Sequence, residues 1–277
     1  MRASSLTKHR RMVMLGAAAL FIAGVIYSWM RLPTAPRDTE WALLVVAAVI
    51  GVPLSTGLNA SEYLLIARVG GATVRVSEAY RIAILSTAAN IAPLPGGVLI
   101  RWGDLTARGV KATRSLRANA VAGTISFSVS GLLLALLTMK GGGLIFIISL
   151  AIGISTGVLS GVLALRAATL DLVVLVGVEM GIVLVTSFRA YLILSAFGLP
   201  GSWQTSFAIA STYALASAIG VFPSGLGIRE ALAGVVTRGF VDGVSTGFLV
   251  SAVDRLLGLA IHAPLAVYFS KPHRMEV

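Results

Sequence analysis

Pro95-Gly96-Gly97-Val98-Leu99-Ile100-Arg101 and Pro223-Ser224-Gly225-Leu226-Gly227-Ile228-Arg229 share one frame, Pro-x-Gly-x-x-Ile-Arg. Each closes an apolar run. Proline lacks an N–H and stops a helix, and glycine lets backbone approach closely. Helix breakers at corresponding places in two halves of an apolar chain signal discontinuous helices around a polar site at membrane depth. The pair therefore points to an all-α polytopic membrane protein that translocates something, not to an enzyme.

Composition agrees. The 277 residues are 57% hydrophobic and only 12% charged, where a soluble domain carries about twice that charged fraction. No long hydrophilic stretch interrupts 1–277, so a single integral membrane domain is expected. The net charge of +11 fits the excess of Lys and Arg in cytoplasmic loops better than nucleic-acid binding. Cysteine is absent, which excludes disulfides, Cys-zinc sites and thiol nucleophiles. His9, His262 and His273 are scattered, so no metal site is expected. No phosphate-loop or dinucleotide fingerprint is present, and no cofactor is expected.

Full spans are expected at Met12–Met30, Trp41–Leu58, Asn119–Met139, Leu144–Leu165, Leu170–Phe197 and Val244–Ser270, each near or above the ~17–25 residues needed to cross. The first follows Arg2, Lys8, Arg10 and Arg11, and is too long for a cleaved signal core. Lys140-Gly141-Gly142-Gly143 turns the third span tightly into the fourth.

Ile82–Ile100 and Thr205–Ile228 remain, and charge decides how they sit. With the basic N-tail inside, Arg31–Glu40 is outside and Glu62–Arg81, with Arg68, Arg75 and Arg81, is inside. The segment carrying Arg101, Arg108, Lys111, Arg114 and Arg117 is inside too. Ile82–Ile100 thus starts and ends on one face, as a re-entrant hairpin broken at Pro93, Pro95, Gly96 and Gly97. Gly198–Gln204 is outside and the C-tail, with Lys271 and Arg274, is inside. Thr205–Ile228 then starts and ends outside, broken at Pro223, Gly225 and Gly227. This arrangement places fifteen Lys/Arg inside against five outside, the sign the positive-inside bias requires. The expectation is about six full spans and two opposed re-entrant hairpins in an inverted repeat, with halves roughly 62–139 and 190–270 after N-terminal spans in 12–58.

The same residues resemble a known family. Asn90-Ile91-Ala92-Pro93 with Gly96-Gly97-Val98-Leu99-Ile100-Arg101 is similar to the first motif of the lysylphosphatidylglycerol synthase transmembrane-region family, the flippase-like part of the multiple peptide resistance factors. Pro223 through Arg229, followed by Glu230-Ala231-Leu232, is similar to its second motif, and Arg255 matches an Arg of its last span. The resemblance covers nearly the whole chain. One departure is Val98, where many members have an acidic residue, so an acidic role there is not carried over. The resemblance implies a bacterial or archaeal cytoplasmic (inner) membrane protein that moves a lipid between leaflets, with both termini cytoplasmic. The aminoacyl-transferase domain fused to some members is missing, so synthesis of aminoacyl-lipid is not implied.

A flippase must carry a headgroup across ~30 Å of hydrocarbon. Freed N–H groups at broken helix starts suit phosphate. Arg101 and Arg229 are candidates for phosphate contact, because a guanidinium forms paired hydrogen bonds to its oxygens; the alternative for Arg101 is an interfacial anchor. Sequence neighbours on a helix do not face each other. Glu230 therefore either balances a cationic headgroup or meets a distant Arg rather than Arg229. Glu179, Asp254 and Arg255 lie inside spans, where charges line a pathway or pair to fix packing. Arg189, nearer a span end, is expected to snorkel. Asn90 either caps the broken helix or binds ligand. Gly153, Gly157 and Gly161 have small-xxx-small spacing, expected to serve packing within the chain.

The leading expectation is a lipid translocase without enzymatic activity, acting on an anionic or aminoacylated phospholipid or another polar lipid. Two alternatives stand beside it. One is a secondary transporter of a small anionic solute. The other is a non-catalytic membrane partner of a lipid-modifying enzyme.

Overall fold

The computed structural model describes residues 21–30, 38–90, 96–141, 143–164, 168–217, 227–240 and 244–270. These residues form ten helices and no strand. They are α1 (Phe21–Met30), α2 (Trp41–Gly70, with a π-helical stretch at Ala47–Gly51), α3 (Val76–Ala89), α4 (Gly96–Ala107), α5 (Ala112–Thr138), α6 (Leu144–Leu163), α7 (Thr169–Ala196), α8 (Trp203–Ser217), α9 (Ile228–Thr237) and α10 (Val244–Ser270). Five of them, α2, α5, α6, α7 and α10, run 20 to 30 residues and are apolar enough to cross a membrane. Their outward residues are large and apolar, among them Val49, Ile50 and Leu54 on α2, Ile147 and Val158 on α6, and Val173 on α7. The described residues are all-helical, and these five helices are compatible with a membrane protein.

Several sequence boundaries shift. Of the first expected span only α1 falls within the described residues. The second does not stop at Leu58, and the expected inner segment from Glu62 is helix as far as Gly70. No breaker intervenes before Gly71, whose φ is +81°. There the Ala72 N–H bonds the Ala67 carbonyl at 2.8 Å and the Gly71 N–H bonds the Arg68 carbonyl at 2.9 Å, the paired bonds of a Schellman close. Likewise α5 starts at Ala112, seven residues before the expected Asn119, and carries Arg114 and Arg117 on its first turns. Pro93, Pro95, Pro223 and Gly225, the centres of both expected breaks, lie outside the described residues.

α5 and α6 pack backbone to backbone. A Cβ on Gly153 would meet the Leu132 backbone at 2.8 Å, one on Gly157 would meet Ser128 Oγ at 2.8 Å, and Gly161 faces open space. The first two glycines therefore serve contact inside the chain.

Two shorter helix pairs are antiparallel. In α3–α4, Arg108 pairs with Glu78 at 3.0 Å at the open end, and Gly97 N–H donates to Asn90 Oδ1 at 2.8 Å at the closed end. In α8–α9, Ala208 and Val236 share one apolar cluster, while Arg229 covers the Tyr213 ring near the closed end. Arg68 pairs with Asp171 and Arg117 bonds the Leu163 carbonyl, so those four helix ends lie together, next to the α3–α4 opening. The Glu40 N–H bonds the Ala196 carbonyl at the other end of the bundle, next to the start of α8.

Besides the small cluster of Leu134, Ala208 and Val236, two larger apolar cores result. One gathers Ala60, Tyr63, Ile66, Ala83, Leu105, Val121 and Leu175. The other gathers Leu44, Ile193, Leu194, Ile209, Leu249 and Val250. On α2 they leave residues 47–59 between them, and on α7 they leave 179–189. Nearly all the buried charge lies in or beside that gap.

Candidate functional site

The charged layer has two clusters. In the first, Arg101 Nη2 of α4 lies 2.9 Å from Glu62 Oε2 of α2, with side chains only 15% and 10% exposed. Glu179 of α7 is 2% exposed and faces the same pair. α4 reaches Glu62 because its first turn passes very close to α3. A Cβ on Gly96 would strike the Ala89 carbonyl, and one on Gly97 would lie 2.7 Å from Asn90 Oδ1. Asn90 thus caps the start of α4 from the end of α3, one of the two roles expected for it.

The second cluster joins α7, α9 and α10. Asp254 forms an ion pair with Arg189 at 2.6 Å through Oδ1 and accepts a hydrogen bond from Arg229 at 2.5 Å on Oδ2. Arg229 also donates from Nε to Ser251 Oγ at 3.2 Å. Its guanidinium carbon sits 3.3 Å from the Tyr213 ring centroid, a cation–π contact. Glu230, fully buried, takes Arg255 Nε on Oε1 and the Gly227 N–H on Oε2, both at 2.8 Å. Gly227 has φ +83°, which an L side chain adopts only with strain, and so turns the chain into α9. Arg229 and Glu230 point apart and find different partners, as neighbours on a helix should.

Arg189 corrects an expectation. It does not snorkel: it is 7% exposed and its Nη2 also donates to the Asp254 carbonyl at 3.1 Å. Its path across α2 exists because residue 51 is glycine, where a Cβ would lie 2.5 Å from Arg189 Cγ. Arg101 is likewise no rim anchor but a paired, buried group. Every described candidate residue thus falls in this layer or at the α3–α4 break. Glu62 was missed because it was taken for a loop residue, and the absence of any breaker between Leu58 and Gly70 was the available signal. Tyr213 had no signal at all.

No known family model and no curated protein matches the chain. The site must therefore be read from its own chemistry. Between the clusters lies a cavity of about 150 Å³, lined among others by Asn59, Glu62, Ser126, Ser130, Glu179 and Tyr213. Among the described residues no group of three or more His, Cys, Asp or Glu is placed to hold a metal ion. With all groups ionised, the first cluster has one cation and two anions, and the second has three cations and two anions. The layer can therefore hold opposite charges at two neighbouring points.

Outside the spans, Glu78 accepts the Arg75 N–H at the start of α3 and pairs with Arg108. These contacts, the backbone bond foremost, hold its carboxyl below the usual carboxylate range.

Proposed function

We propose that this chain is a lipid translocase of the flippase type, passing a polar or charged headgroup between the two leaflets without covalent chemistry. The observation that carries the reading is the net-positive cluster of Arg189, Arg229 and Arg255, buried beside a polar cavity within helices apolar enough to span. Such charges are costly in a membrane and mark substrate pathways. Arg229 and Arg101 are proposed to receive the headgroup phosphate. In this reading α3–α4 and α8–α9 are re-entrant hairpins entering from opposite faces, and the halves 62–139 and 190–270 are inverted repeats beside about six full spans. The membrane is proposed to be the inner membrane of a bacterium or archaeon, with both termini cytoplasmic. The motif resemblance supports the same assignment.

A lipid is favoured over a free solute by an apolar groove of about 330 Å³ on α4 and α5, lined by Val98, Leu99, Trp102 and Leu116. It shares a helix with Arg101 and would leave acyl chains outside while the headgroup enters. The small volume of the polar cavity is what favours the alternative, a transporter of a small anion.

The test is leaflet exposure of fluorescent phospholipids in proteoliposomes. The wild type should exchange an anionic or aminoacylated phospholipid. Arg229→Ala should slow exchange by on the order of thirtyfold, the equivalent of about 2 kcal/mol lost with a desolvated charge contact. Purified wild-type protein that moves no phospholipid class overturns the assignment. Arg229→Ala at wild-type rate removes Arg229 from the headgroup path.

A further inference from the structure

The anion-binding role uses Arg229 of the second cluster and Arg101 of the first, and leaves Glu179 without a task. Its Oε1 is buried with no hydrogen-bond partner among the described residues, and so is Ser130 Oγ across the same cavity. Ser130 is fully buried and Glu179 is 2% exposed. Buried polar atoms left unmet cost free energy and imply something that meets them.

The charges around Glu179 define what that is. From α2 it faces Glu62 and Asn59, from α5 Ser126 and Ser130, and from α8 Tyr213. Arg101 on α4 is the one cation that bears on it, and that guanidinium is already bonded to Glu62. On its own helix Arg189 is committed to Asp254 of α10, which also holds Arg229 of α9. Tyr63, one residue past Glu62, donates to Asp104 instead. Two carboxyl groups thus share one guanidinium away from bulk water, with only neutral polar groups beside them, a setting in which a second buried negative charge is not sustained.

We infer that Glu62 and Glu179 together hold one exchangeable proton, and that their cavity is the coupling-ion site of the transporter. The coupling part of this inference rests on the translocase reading; the proton site does not. Proton release is a simple transfer. The Glu179 carboxylic acid gives its proton to a cavity water, leaving carboxylate and hydronium, and uptake is the reverse. An arriving phosphate that draws Arg101 off Glu62 leaves both carboxyl groups with no cation. Headgroup entry and proton uptake are then linked, each favouring the other.

The experiment uses the full chain in lipid nanodiscs and in proteoliposomes. Infrared difference spectra across a pH titration should show one protonated carboxyl near neutral pH, absent in both Glu179→Gln and Glu62→Gln. The second variant keeps the test decisive if the first does not fold. With a fluorescent anionic phospholipid, an imposed gradient of about one pH unit should shift the steady-state leaflet ratio by about tenfold in the wild type, the yield of one proton per headgroup. It should shift nothing in Glu179→Gln. A carboxyl band that survives both substitutions overturns the proton site. A leaflet ratio that follows a sodium gradient and ignores pH overturns the proton coupling. A titrating band in a protein that moves no lipid overturns the translocase and upholds the proton site.

Discussion

The two ion clusters are built from the same residue types and differ in balance. Asp254 sits between two guanidinium groups, and Glu230 is met by both Arg255 and a backbone N–H. Both carboxylates of that cluster have guanidinium partners, Asp254 Oδ1 through an ion pair with Arg189 that is not a hydrogen bond, and the surplus is positive. Around Arg101 the surplus is negative and one carboxyl oxygen has no partner among the described residues. The arrangement around Asp254 and Glu230 is a densely paired cluster of positive surplus. The arrangement around Arg101 is under-neutralised and invites a small cation. Buried charge can therefore serve rigidity in one place and exchange in another, within one layer of one bundle.

That contrast breaks most visibly at Asp254. Asp254→Ala leaves Arg189 and Arg229 buried side by side with no anion, and should cost about 3–5 kcal/mol, read as a large drop in thermal midpoint in detergent. Glu179→Gln replaces a carboxyl group that lacks a full partner, and the same measurement should show an unchanged or raised midpoint. Equal losses from the two substitutions would erase the distinction between paired cluster and exchange site.

A smaller effect sharpens the comparison at the two helix starts. Gly227→Ala forces an alanine to φ +83°, at a cost of roughly 1–2 kcal/mol. It should also loosen Glu230 from the Gly227 N–H. Gly97→Ala adds a Cβ 2.7 Å from Asn90 Oδ1, the tip of a side chain, and 3.0 Å from the Ser86 carbonyl, which is backbone. It should displace the cap and weaken Arg101–Glu62, with Asn90→Ala relieving the clash at Oδ1 but not the one at Ser86. Denaturation midpoints of the three variants check both statements.

The smallest effect lies at the mouth of α3–α4. The Glu78 carboxyl is held below its ordinary range, so its contribution is present above the unfolded carboxylate value of about 4.3. It is lost as pH falls through the folded value. Between neutrality and the unfolded value no change is expected. Below it, wild type should lose slightly more stability than Glu78→Gln, a difference kept small by the exposure of the pair.

Much of the charged layer could be read from residues alone, and its wiring could not. Arg101, Arg229, Glu230, Glu179, Asp254 and Arg255 stand out because charge is rare in apolar helices. Their partners come from other helices distant in the chain, and only packing decides which meet. Glu62 and Arg189 show two ways the reading fails. Hydropathy falls at Asn59 and Glu62, yet the helix continues, since a paired carboxylate is no helix breaker. Arg189 lies near a helix end, where a long side chain can ordinarily reach water. Here the bare backbone at Gly51 opens a shorter way inward, to an anion on another helix. A missing side chain across an interface leaves no trace in local periodicity.

The apolar cores on either side of the layer have an electrical consequence. They are apolar, so most of an applied membrane potential is expected to fall across them rather than across the charged middle. An ion crossing either plug then performs work against the field of up to about 2.3 kcal/mol per elementary charge per 100 mV. Turnover should accordingly depend on voltage, with opposite slopes for inside-out and right-side-out vesicles.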